Sequence, residues 1–395
     1  MSLQFITGNS GNGKTKYLFN RIVKEAKANP RDNYLVIVPE QFTMQTQRQL
    51  VDLSENKAIM NIDVLSFKRL AYRVFDELGI TNLTVLEETG KNLVLRKLAA
   101  QEADKLGVIG RNLNRIGYIS EVKSLLSELV QYNISPEELG RYIASGRLSD
   151  TLSDKLKDVL VLYEAFEKFM QDKYITAEEI LNVLSNVAEE SAILRNSVIA
   201  FDEFTGFTPI QNQLIKKLFV ISKKIYVTLT IDCREDIFKS RGMQELFDMP
   251  KRTVKSLTEM AAFYGIEVEE PIILDKNYRL AENEELSFME QQLFRKRRCS
   301  FKKVPKHIHI DCLRDPKQEL TKIARRINEL VRNENLRYRD IAIVTGDVNI
   351  YAGYVREIFD KYNIPYFIDA TQEILFHPFI ELIRSIPDIA AQNFS

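Results

Sequence analysis

The sequence predicts an α/β protein with a large all-helical segment inserted into it. Three observations carry this expectation. At the start of the chain, short apolar runs suited to buried strands alternate with amphipathic helical patterns, as in a parallel sheet covered by helices. From about Glu87 to Glu190 only helical periodicity appears. Strand-type sequence then returns abruptly at Val198-Ile199-Ala200-Phe201, and a second α/β run starts near residue 270.

Leu3–Thr7 reads as a short buried strand, followed by a glycine-rich turn and a helix from about Lys14 to Lys27. Tyr17, Leu18, Ile22, Val23 and Ala26 fall on one face of that helix, and Asn29-Pro30 ends it. Tyr34–Val38 is a second strand closed by Pro39, and Ser66–Glu77 a helix with a stripe of Phe67, Leu70, Ala71, Val74 and Phe75. The middle contributes helices at Leu93–Lys105, Ile119–Gln131 and Leu156–Gln171. A helix near Ile210–Leu218 and a strand at Ile225–Ile231 follow. The second run reads as strand Ile308–Leu313, helix Lys317–Arg332, strand Ile341–Thr345, helix Tyr351–Tyr362, strand Tyr366–Ile368 and a helix over Pro378–Ile389.

The sharpest motif is Gly8-Asn9-Ser10-Gly11-Asn12-Gly13-Lys14-Thr15, which fits G-x-x-x-x-G-K-[ST] in full. Gly8, Gly11 and Gly13 let the backbone curl so that successive N–H groups point at phosphate oxygens. The following helix aims its N-terminal partial positive charge at the same place. Lys14 would reach the β- and γ-phosphates, and the Thr15 hydroxyl would ligate Mg²⁺. ATP with Mg²⁺ is the expected ligand. A strand before the loop and a helix after it are the context this mechanism needs.

A second signal is Asp202-Glu203 at the carboxyl end of the Val198–Phe201 strand, where ligands bind in open α/β sheets. Asp202 would hold Mg²⁺ through its water shell, and Glu203 would polarise an attacking water. A third is Asp275-Lys276-Asn277-Tyr278-Arg279, whose Arg279 would stabilise charge at the γ-phosphate; an ordinary loop arginine is the competing reading. The fourth is the basic run Arg295-Lys296-Arg297-Arg298, continued by Lys302, Lys303 and Lys306. It would track a nucleic-acid phosphate backbone, or simply be a solvated loop.

Composition sets the outer bounds. With 45% hydrophobic and 28% charged residues the chain is suited to a globular fold, and its 395 residues call for two or three domains. No stretch approaches the roughly 18 apolar residues of a membrane span. The start of the chain lacks the pattern of a secretory leader, and cysteine is sparse, so a reducing cytoplasm is expected. Cys233, Cys299 and Cys312 match no metal spacing, and His307 and His309 have no third ligand nearby. Zero net charge gives nucleic-acid binding no support from bulk electrostatics.

The strand pair, glycine loop, helical insertion, Asp-Glu strand and second α/β unit together resemble superfamily 1 DNA helicases. A closer resemblance rests on several segments. They are Phe5-Ile6-Thr7-Gly8 through Lys16, Ile37-Val38-Pro39-Glu40-Gln41, Val64-Leu65-Ser66-Phe67-Lys68-Arg69-Leu70-Ala71, Asp202-Glu203-Phe204-Thr205-Gly206-Phe207-Thr208-Pro209, and Ile364-Pro365-Tyr366-Phe367 with His377-Pro378. These look like the N-terminal part of the B subunit of the bacterial AddAB (RexAB) helicase–nucleases.

The resemblance implies a RecA-like P-loop domain split over residues 1–80 and 196–270. It also implies a helical domain at 81–195 and a partial second RecA-like domain at 271–395. It carries nucleotide binding to Gly13, Lys14 and Thr15. It implies DNA ends as substrate and, as heterodimer partner, the A subunit of the helicase–nuclease. It further implies a role in double-strand-break repair, in which the B subunit helps recognise a regulatory DNA sequence. Members of that family continue into a nuclease domain with iron–sulfur cysteines. That pattern does not occur here, so an N-terminal portion is expected, with any iron–sulfur cluster only in the part beyond it.

Two departures matter. Thr205-Gly206 follows Asp202-Glu203 where an active helicase usually has a glutamine, and the strand Val227-Thr228-Leu229-Thr230-Ile231-Asp232 lacks the glutamine that senses the γ-phosphate. They favour a helicase-like scaffold that binds ATP without being the motor. An active translocase with DNA-stimulated ATP hydrolysis is the alternative.

Overall fold

The computed structural model describes residues 1–80, 84–108, 116–145, 148–170, 174–295, 299–369 and 377–392. The chain divides into two compact units, Met1–Phe301 and Lys302–Ser395.

The larger unit opens with β1 (Ser2–Gly8), α1 (Lys14–Ala28), β2 (Tyr34–Ile37), α2 (Thr43–Leu53), β3 (Ile62–Leu65) and α3 (Phe67–Leu78). The helical stretch is β4 (Val85–Leu86), α4 (Glu88–Gln101), α5 (Ile116–Gln131), α6 (Pro136–Ala144), α7 (Asp150–Met170), β5 (Ile175–Thr176) and α8 (Ile180–Val187). Then come β6 (Val198–Phe201), α9 (Pro209–Ile221), β7 (Lys224–Thr230), α10 (Asp248–Phe263), β8 (Glu267–Val268), β9 (Ile272–Leu274) and α11 (Glu284–Gln292).

All pairings in the main sheet are parallel. The order is β3-β2-β6-β7-β1-β8, with β9 continuing beside β1 beyond β8. Parallel strands need crossovers, and the helices that make them cover both faces, so the strands are apolar on both sides. Leu3 and Phe5, Leu35 and Ile37, and Ile199 and Phe201 enter the core beneath α3, α8, α9 and α10. The alternate residues Ile6, Tyr34, Val36, Val198 and Ala200 enter the opposite core beneath α1 and α2.

The helical stretch has its own core, built from Leu95, Leu98, Leu126, Leu162, Tyr163 and Phe166 among others. Its entry and exit are clipped together by the two-residue parallel pair β4–β5. The strand at Ile175–Thr176 is one that helical periodicity alone did not announce. Buried Lys91 pins α4 to the turn after β5, its Nζ 2.7 Å from Glu178 and 2.9 Å from Glu88 of its own helix.

The smaller unit contains α12 (Pro316–Asn333), α13 (Val348–Lys361) and α14 (Pro378–Ala391). Leu320, Ala324 and Ile327 of α12 pack on Ile358 and Phe359 of α13. Each helix starts on a side-chain cap, from Asp315, Asp347 and His377 respectively. The expected strands at 308–313, 341–345 and 366–368 carry no ladder hydrogen bonds among the described residues. Alternating apolar residues favour an extended chain, but a strand exists only when a neighbour pairs with it. That condition is nonlocal and absent from the pattern. Here Ile310, Val344 and Phe367 are exposed.

Candidate nucleotide site

The site forms at the carboxyl edge of the sheet, where β1, β6 and β7 end side by side. Gly11 and Gly13 have φ of 89° and 78°, backbone that L side chains rarely adopt. A Cβ on Gly11 would also lie 2.7 Å from Asn277 Oδ1 and 2.8 Å from Arg279 Cβ, so the loop is curled tightly against the 277–279 segment. Gly13 is the N-cap of α1, leaving that helix's first N–H groups open towards the cleft.

Lys14 rests on its own loop. Its Nζ donates to the carbonyls of Gly8 and Asn9, each at 3.0 Å. Burial pulls the lysine below its usual value, Glu203 and Asp202 work against that, and Arg279 adds to the fall. Such a lysine is under-solvated and gains when an anion arrives.

Asp202 is 1% exposed. Its Oδ1 accepts a hydrogen bond from Thr228 in β7. Burial pushes the carboxyl upwards, the Thr228 hydroxyl opposes this, and Glu203 adds to the rise. Its Oδ2 is buried without a hydrogen-bond partner among the described residues. An orphaned carboxylate oxygen beside a threonine hydroxyl is a donor set that fits a hard divalent cation, with Thr15 as direct ligand and Asp202 behind it. Glu203 is exposed, with φ of 62°, strained backbone for a non-glycine residue. That conformation turns it towards α1, where its Oε1 accepts from Thr15 Oγ1 at 3.3 Å.

The Asn-Tyr-Arg segment closes over the loop. Asn277 Nδ2 donates to the Ser10 carbonyl at 2.9 Å, and the Tyr278 N–H to that of Gly11 at 3.0 Å. Arg279 Nη1 donates to Ser10 Oγ at 3.3 Å. The resulting cleft of about 820 Å³ is lined by Gly11, Gly13, Lys14, Thr15, Asp202, Glu203 and Arg279, with Gln45, Thr46 and Gln49 of α2 on the far wall.

Gly8, Gly11, Gly13, Lys14, Thr15, Asp202, Glu203 and Arg279 are therefore together in space. Arg295 lies elsewhere and is turned inward. Its Nε donates to Asp232 at 3.0 Å, and its guanidinium lies over the Phe247 ring, 4.9 Å from the centroid. An arginine so committed is not presented to a polyanion. Lys296, Arg297 and Arg298 lie outside the described residues.

Sequence reasoning missed Thr228, Asn9, Asn277 and the α2 glutamines. Thr228 had a signal, being a hydroxyl-bearing residue in the buried middle of a strand. The α2 residues had none, because which face of that helix meets the cleft depends on how it packs.

The fold and site together define an α/β protein with a glycine-rich phosphate-type loop at the carboxyl edge of a parallel sheet. Residues 5–290 match the family described as ADDB, N-terminal. The chain is 38% identical, over 399 aligned residues, to the B subunit of the ATP-dependent helicase/deoxyribonuclease of Lachnoclostridium phytofermentans. It is 34% identical to the protein of that name from Clostridioides difficile and 32% to that from Clostridium tetani. All of this chain aligns in each case, but only 34 to 35% of each relative. The chain belongs to this family, as its N-terminal part, and spans about a third of the length of those relatives. No helix among the described residues is long and apolar enough to cross a membrane.

Proposed function

We propose that the chain is the ATP-binding, helicase-like part of the B subunit of a DNA end-processing helicase–deoxyribonuclease. It pairs with the A subunit of that enzyme in a cytoplasmic heterodimer that serves double-strand-break repair and recombination. The larger unit is a RecA-like P-loop domain carrying an inserted helical domain, and residues beyond about 270 lead into a second, partial RecA-like domain. The observation that carries the reading is the convergence of Lys14, Thr15, Asp202, Glu203 and Arg279 on one cleft. Together they suit the charge and metal of a nucleoside triphosphate.

Lys14 leaves the carbonyls of residues 8 and 9 for the β- and γ-phosphates, and α1 offers its N-terminal N–H groups to the same oxygens. Thr15 and Asp202 hold Mg²⁺, which supplies charge neutralisation to the triphosphate. Arg279, held at the loop through Ser10, would stabilise charge on the terminal phosphate.

An active translocase is the second reading. It is favoured by Glu203, whose strained backbone holds an exposed carboxylate against Thr15 at the cleft. The missing glutamines weigh against it. Under that reading Glu203→Gln removes a DNA-stimulated ATPase rate; under the first there is no such rate to lose.

Equilibrium binding of Mg²⁺-ATP to the chain beside its Lys14→Ala variant tests the proposal. Saturable binding abolished by the substitution is expected. Equal binding by both, or none by a folded wild-type chain, would refute a working loop here.

A further inference from the structure

The loop that carries Lys14 is gripped from behind by one side chain. Asn9 follows β1 directly and is 5% exposed. Its carbonyl accepts from the Asn12 N–H at 3.2 Å and from Lys14 Nζ at 3.0 Å, so residue 9 shares the resting lysine with the Gly8 carbonyl and holds the turn together with the Asn12 carboxamide, which donates to the Leu274 carbonyl at 2.5 Å. Its carboxamide faces away from the cleft. Oδ1 accepts the Cys233 N–H, just past β7, at 3.0 Å, and Nδ2 donates to Glu290 Oε1 of α11 at 2.7 Å.

Glu290 is itself backed by charge. Its carboxylate is 3.9 Å from Arg295, which also pairs with Asp232 at 3.0 Å. Asp232, 1% exposed, takes Arg234 as well, at 2.6 Å. Neither Glu290, Arg295 nor Asp232 lines the nucleotide cleft.

We propose that Asn9 is a positioning residue for Lys14, and that its grip depends on Glu290 being held in place by Arg295. An ionised carboxylate makes a stronger acceptor for the carboxamide than water or a neutral group, which fixes the carboxamide plane and so the peptide that carries the residue 9 carbonyl. A glutamate without its arginine samples other rotamers and releases that plane. The structural role of residue 295 is thus to stiffen the phosphate loop from a distance. This rests on reading the cleft as a nucleotide site.

The test uses the full chain with two readouts, amide exchange of the Asn12 N–H without nucleotide and Mg²⁺-ATP affinity. Asn9→Ala, Glu290→Met and Arg295→Met, the last keeping an apolar group on Phe247, should each speed that exchange about tenfold and weaken binding several-fold, the scale of one lost charge-assisted hydrogen bond. Arg295→Lys keeps the charge and should recover most of each effect, whereas Glu290→Gln offers Asn9 only a neutral oxygen without the pull on Arg295 and should recover part of it. The double variant Asn9→Ala/Arg295→Met should be no worse than Asn9→Ala alone, because the two act through one contact. Wild-type exchange at Asn12 in a folded Arg295→Met chain, failure of the conservative variants to rescue, or additive losses in the double variant would each overturn the proposal. If the wild type binds no Mg²⁺-ATP, the function assigned to the cleft fails, and the exchange arm still decides the grip of Asn9.

Discussion

Asp232→Asn removes the charge on which two arginines converge while keeping the volume. Burial alone would raise this carboxyl. The side-chain hydrogen bonds of Arg234, its backbone N–H and the charges of Arg234 and Arg295 outweigh that and hold it at about 2, against an ordinary 3.8. That difference amounts to roughly 2 kcal/mol of folding stability, once Arg234, half exposed, is discounted for solvent screening. The sign follows from linkage. The folded pKa is depressed, so the unfolded chain binds the proton more readily. The stabilisation is complete above the ordinary value and disappears as pH falls through the folded one. Urea unfolding of the larger unit, followed by circular dichroism, should show Asp232→Asn less stable by about 2 kcal/mol at pH 7 and pH 5, with the gap closing towards pH 2. A gap of the same size at pH 2, or none at pH 7, would mean that the Asp232 charge does not hold this corner together.

Gly11→Ala adds a methyl where φ is 89° and Asn277 Oδ1 is 2.7 Å away. Strain of about 1–2 kcal/mol plus displacement of the 277–279 segment should weaken Mg²⁺-ATP binding at least about tenfold and unprotect the Tyr278 N–H in amide exchange. Thr228→Val keeps shape but leaves Asp202 Oδ1 without its donor; a loss of about 1–3 kcal/mol in urea unfolding is expected, and an unchanged midpoint would refute the role given to Thr228. Leu162→Ala in the core of the helical stretch should cost about 2–5 kcal/mol there by exchange of α7 amides, with nucleotide affinity unaltered because that core is separate from the sheet.

What is local was legible in the order of the amino acids. The glycine–lysine loop lies between a strand and a helix because its neighbours have those periods. The Val198–Phe201 strand matches β6 residue for residue because a short apolar run rich in β-branched residues, ended by two carboxylates, suits a doubly covered strand. The helices over Lys317–Arg332 and Tyr351–Tyr362 are within a few residues of α12 and α13 for the same reason, a 3.6-residue stripe bounded by a cap.

Whatever depended on partners far along the chain was settled by packing instead. Packing ordered the strands, so that Asp202 meets Thr228 across β6 and β7 and Glu203 meets Thr15. It laid Asn277, Tyr278 and Arg279 on the loop they help to shape. It withheld ladders from three apolar segments of the smaller unit, since pairing is not a property of one strand. It also turned Arg295, part of a run of positive charge in the sequence, onto Asp232 and Phe247. Charge is legible residue by residue, whereas the counter-charge that claims it is fixed only when the chain has folded.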